Sequence, residues 1–220
     1  MRVSSCLLLL LAVLPAWTQS DNRLFVRPWV ALEPVVRIAT DQYPIPADKA
    51  EKAVLEEARV LLSGMVYGWT FDYTPAVSAR DVAESFTITP VAQIPWGSPR
   101  LRVVETEVAD EKLWARVQYV MDDAEAARRA SWESATTLLS EGQGKADVMK
   151  GAGAKELSFQ DAVRDAIRLA LHGTYINAPR RITGDVVLWE DPRTTVHSGM
   201  YRTVVTVRVL VREVVPYRIF

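Results

Sequence analysis

Hydrophobic and polar positions alternate most strictly near the end of the chain. Val205, Val207, Val209 and Val211 share one parity and Thr206, Arg208, Leu210 and Arg212 the other. Side chains on a strand point to alternate faces, so this predicts a long strand within Tyr201–Val215, buried on its valine side. A second period-two stretch sets Tyr67, Trp69, Phe71 and Tyr73 against Gly68, Thr70, Asp72 and Thr74. If all four rings project from one strand, leaving them in water forgoes roughly 1.5–3 kcal/mol per ring, and this aromatic comb is expected to be core. Leu101–Val108 and Leu113–Met121 read as a hairpin around Asp110-Glu111, with Leu113, Ala115, Val117, Tyr119 and Met121 facing inward. Ile182–Glu190 reads as a strand leading to an Asp191-Pro192 turn, and Glu84–Thr89 as a weaker strand. Pro28 and Pro34 interrupt the apolar stretch Asp21–Thr40, which suits extended edge structure because proline donates nothing to a ladder. Pro90, Pro95 and Pro99 make Thr89–Pro99 irregular.

Three stretches carry helical spacing instead. In the first, Ala47, Ala50, Val54, Ala58, Leu61 and Met65 line a face between an Asp48 N-cap, with Glu51 in the capping-box position, and a terminating Gly64. The second starts at Asp122 with Glu125 at the same offset; Ala127, Ala130, Ser131, Ser134 and Leu138 form its inner face, and it ends before Gly142. The third starts at Ser158 and buries Phe159, Ala162, Val163, Ala166, Ile167 and Ala170, with Asp161/Arg164 and Asp165/Arg168 as pairs on a solvated surface. Ser78–Glu84 could form a helical turn, and the Gly-, Ala- and Lys-rich stretch Gly142–Lys155 reads as a mobile loop. Helices and strands are grouped, not regularly alternating. The expected fold is therefore α+β, a mostly antiparallel sheet packed against about three helices, in a single domain over 47–220 that follows an extended N-terminal segment at 21–46.

Composition adds limits. The 220 residues, 49% hydrophobic and 24% charged, suit one globular domain or two small ones, and a net charge of -1 supplies no field for nucleic acid. Met1-Arg2, the apolar run Leu7–Ala16 and the small residues of Thr18-Gln19-Ser20 have the pattern of a secretory signal peptide over 1–20. The expected location is periplasmic or secreted, with no transmembrane segment after cleavage. Cys6, the single cysteine, lies inside that leader, so the mature chain has neither a disulfide nor a thiol nucleophile.

Little catalytic chemistry is visible. There is no Gly-x-Ser-x-Gly elbow, and Gly142-Gln143-Gly144-Lys145 lacks the remaining residues of a phosphate loop. His172 and His197 each stand alone, although Asp191 could approach His197, and no cofactor or metal is expected. Glu105, Glu107, Asp110-Glu111, Asp122-Asp123 and Glu190-Asp191 mostly sit where turns and helix caps use them. Trp96, beside glycine in a proline-flanked loop, is the ring best placed to bind a ligand. The expectation is a non-catalytic, exported cell-envelope module that binds or builds through a surface patch or sheet edge, with a protein or envelope glycan as partner. The alternative is an envelope-glycan hydrolase using two acidic residues, which requires carboxylates converging in a cleft.

Overall fold

The structure is a computed structural model in which residues 22–33, 45–76, 82–134, 136–175 and 180–216 are described. The leader and Pro34–Pro44 lie outside them, as does most of the Ser78–Glu84 turn. Two antiparallel sheets and three helices form one α+β domain, as the grouping of elements predicts.

The smaller sheet is built on the hairpin of β5 (Leu101–Ala109) and β6 (Lys112–Val120). Asp110 and Glu111 both adopt positive φ, 51° and 58°, the conformation of a tight hairpin turn. The predicted inward face holds: Ala115, Val117, Tyr119 and Met121 are buried. Along the other edge of β6, β1 (Arg23–Val26) and β2 (Trp29–Ala31) lie end to end, pairing with Val117–Val120 and Lys112–Trp114. Pro28 falls in the break between them, where its carbonyl still accepts the Ala115 N–H at 3.1 Å.

The larger sheet runs β4 (Ser85–Pro90), β3 (Trp69–Thr74), β8 (Arg180–Leu188), β10 (Met200–Pro216) and β7 (Leu138–Asp147), with β9 (Arg193–His197) also on β10. Val205, Val207 and Val209 of β10 are buried, with Val211 at the margin. His197 ends β9 and does not lie in a loop, because Ser198 and Gly199 (φ 51° and 69°) turn the chain directly into β10. The expected turn at Asp191-Pro192 does not reverse the chain. Leu188 pairs with Val207 and Arg193 with Val204, so Trp189–Pro192 bulges out opposite Val205 and Thr206 while the chain continues along β10.

Helix α1 (Ala47–Val66) touches both sheets and supplies Val54, Ala58, Leu62 and Val66 to the shared core. Its N-cap is Pro46, not Asp48; Asp48 instead places its charge in the first turn, at the positive end of the helix dipole. Gly64 does not end the helix. It is buried within it, and a Cβ there would strike the Trp69 ring. Termination falls at the Tyr67 C-cap, followed by Gly68 at φ 69°. Tyr67 therefore leaves the aromatic comb, which is shorter than predicted. Phe71 and Tyr73 are core, while Trp69 is half-buried against Phe159, 6.1 Å between ring centroids.

Helix α2 (Asp123–Ser131) has the predicted capping box on Asp122, but it ends well before Leu138, which opens β7. Its predicted inner face is wrong: Glu125, not the alanines, is its buried residue. Tyr67 and Tyr119 hydroxyls, the Asp122 N–H and the Arg100 guanidinium all donate to that carboxylate.

Gly142–Lys155 is not a mobile loop. Most of it is β7, followed by a 3-10 helix at Val148–Gly153 and the start of α3 (Ala154–Tyr175). Gly142 and Gly144 are there because α3 crosses so close that a Cβ on either would meet its backbone around Ala162. Ser158 is consequently interior to α3, sharing a 2.6 Å hydrogen bond with the Thr203 hydroxyl. Asp161 and Asp165 do more than decorate a solvated surface. Their carboxylates accept the backbone N–H groups of Lys145 (3.2 Å) and Gln143 (2.9 Å) on the outer edge of β7.

Candidate functional site

Where β2 and the β8–β9 bulge approach each other beside α1 and α3, they enclose a cleft of about 920 Å³. Both sheets are interrupted here. The backbone N–H of Arg27, in the break between β1 and β2, donates to the Asp191 carboxylate at 2.9 Å. The Trp29 indole N–H reaches the Thr194 carbonyl at 3.3 Å. Trp29 itself is buried, stacked on Tyr201 with centroids 6.3 Å apart and tilted against Trp114 at 5.8 Å. The Lys155 and Lys112 ammonium groups lie 4.1 and 4.6 Å from its ring centroid.

Lys155 is the hub of the charged end. Its Nζ donates to the Trp29 carbonyl at 2.5 Å and stands 2.7 Å from each Glu57 carboxylate oxygen. Burial pushes the Glu57 carboxyl up and the Lys155 ammonium down, and each partner's charge opposes that shift in the other. At 2.7 Å each charge works against the desolvation of the other.

Asp191 is placed differently. Surrounding protein desolvates its carboxyl and pushes its pKa up to about 6; the Arg27 N–H works against that rise, Glu57 adds to it and Lys155 opposes it. The residue as a whole is exposed, which is the better guide to access: the carboxylate sits at the rim of the cleft, within reach of water. Among the described residues no side-chain cation lies within ion-pair distance of it. The other acids of the lining are engaged, Glu56 with Arg59 (2.5 Å) and Glu156 with Gln160 (3.0 Å). Away from this end, Val30, Ile45, Ala53, Val60, Leu61 and Phe159 make the lining apolar.

Trp96, the ring expected to bind, lies outside the cleft. It is 54% exposed, in a shallow pocket of about 380 Å³ with Leu55, Pro95, Leu101 and Val103. His197 is not joined by Asp191, whose bond goes to Arg27. No group of three or more His, Cys, Asp or Glu side chains among the described residues is arranged to hold a metal, and no described helix is long and apolar enough to cross a membrane. Sequence reasoning passed over Glu57 and Lys155. Glu57 had a signal, a charge between Val54 and Leu61 on the apolar stripe of α1. Lys155 had none, because its meaning depends on where α3 begins.

Residues 13–217 match a protein-family model that carries no functional description. The chain belongs to that family. A relative from Treponema pallidum (strain Nichols), described as an uncharacterised protein, is 26% identical over 192 residues, covering 87% of this chain and 81% of the relative. No solved structure matches.

Proposed function

We propose that the protein is an exported, non-catalytic component of the cell envelope that binds its ligand in the cleft between the two sheets. The observation carrying this reading is the combination of about 920 Å³ of largely apolar cleft with an end where Asp191, Lys155 and Glu57 meet. Concave apolar surface with a few fixed polar groups is the usual make-up of a ligand site. Export rests on the leader pattern of Met1–Ser20, and N-terminal sequencing of the mature protein checks it, with Asp21 as the expected first residue.

Ala53 is an exposed residue of α1 on the cleft wall. Ala53→Trp should fill the cleft and leave the core alone. Soluble peptidoglycan fragments titrated against tryptophan fluorescence should give a saturable change in the natural protein and none in that variant. Equal binding by both would move the site elsewhere, and Trp96→Ala would then be the variant to measure.

A hydrolase reading has one observation in its favour: Glu57 and Asp191 line the same cleft with raised pKa values. Against it, both Glu57 oxygens are held by Lys155, so the two raised carboxyls of the lining are not both free for the acid and base roles that glycoside cleavage needs. Release of reducing ends from peptidoglycan, abolished by Asp191→Asn, would reverse the choice.

A further inference from the structure

The charged side chains around the cleft are unevenly partnered. Glu57 and Lys155 neutralise each other at 2.7 Å. The Arg27 guanidinium, 58% exposed, is turned to Glu107 at 2.6 Å, and the Arg193 side chain, 77% exposed, to Glu141 at 3.9 Å. Lys112 stands over the Trp29 and Trp114 rings. The exposed pairs are screened by solvent and contribute little inside the cleft. Among the described residues Asp191 has no such side-chain partner: its carboxylate is held by one backbone N–H, beside the apolar part of the lining, and of the other acids there Glu156 accepts only from the neutral Gln160 amide.

Resting on the cleft as the ligand site, we infer that its ligand is a primary ammonium on an apolar body, the ammonium pairing with Asp191 and the body lying along Val30, Ala53, Val60 and Phe159. A carboxylate close to a cation favours its charged form, so the pair forms at the cost of the proton that Asp191 carries below pH about 6. Binding therefore strengthens as pH rises through that value. An anionic ligand that paired with Lys155 would have to displace Glu57.

Three probes of one shape separate the possibilities: hexylamine, hexanol and hexanoate, followed by backbone-amide NMR on the full chain. At pH 7.5 the amine should bind about tenfold more tightly than the alcohol, the equivalent of one pKa unit of preference. At pH 5, where hexylamine is still protonated and most Asp191 has taken up its proton, that preference should fall to about twofold. Asp191→Asn should erase both the preference and its pH dependence while still binding hexanol. Amine and alcohol binding alike, hexanoate binding tightest, or a preference untouched by pH would each overturn the ammonium assignment. The peptidoglycan titration with Ala53→Trp decides the cleft separately: hexanol binding that Ala53→Trp abolishes keeps the cleft even when the amine fails.

Discussion

Glu125 and Asp191 are both carboxylates surrounded by protein, and their surroundings are opposite in quality. Burial raises the cost of charging Glu125, yet Tyr67, the Asp122 amide, Tyr119 and Arg100 together pull its pKa below the ordinary carboxylate range. Burial is also the largest influence on Asp191, but one backbone N–H and the nearby charge of Lys155, outside ion-pair range, do not offset it, and its pKa rises to about 6. Satisfied acids hold a fold together; an acid left short of partners is available to something else. Glu125 ties α2 and the small sheet to the end of α1, whereas Asp191 sits at a rim.

Removing each acid tests that contrast. Glu125→Ala strands two tyrosine hydroxyls and Arg100, and should cost about 3 kcal/mol in urea unfolding; a loss below about 1 kcal/mol would dissolve the distinction. Lys155→Met leaves Glu57 unpaired and should cost about 2 kcal/mol at pH 7.5, less than a fully buried pair because the side chains are 16% and 30% exposed. That deficit should shrink as pH falls, because burial holds the Glu57 carboxyl above its ordinary range. Asp191→Asn should change stability by no more than about 1 kcal/mol, a figure reduced for the exposure of the residue, and in the stabilising direction at pH 7.5.

The pH dependence separates the two acids by sign. With its folded pKa depressed, Glu125 contributes stability that is present above the ordinary carboxylate range and lost as pH falls through that lowered value. With its folded pKa raised, Asp191 favours the fold below the ordinary range, and that contribution disappears as pH climbs from about 4 to about 6. Urea midpoints of the natural protein and Asp191→Asn between pH 4 and 7.5 should converge at the acid end and diverge at neutrality. The smallest effect is expected at Trp96→Ala, within about 0.5 kcal/mol of the natural protein and without influence on the cleft.

What the sequence shows and what it hides follow from range. The β5–β6 hairpin, the valine face of β10 and the Asp122–Glu125 capping box are decided by neighbours a few residues apart, and each is readable. Gly64, Gly142 and Gly144 are not, because a glycine that makes way for a ring or a helix looks like one that ends a helix or loosens a loop. The same holds at the cleft. The Asp191-Pro192 pair reads as a turn, and only the register of β10 on both sides of it shows a bulge that carries a carboxylate to the rim. Lys155 meets Glu57 across 98 residues of chain, a distance no local pattern spans.

The two hydrogen bonds from β7 to Asp161 and Asp165 close part of a sheet edge. An outer strand with bare amides invites another chain to continue the sheet, and long edges of this kind seed aggregation. Here α3 occupies those amides with its own carboxylates, so β7 offers a stranger no ladder at Gln143 and Lys145. The opposite margin of the large sheet, β4, is six residues long and closes on Pro90.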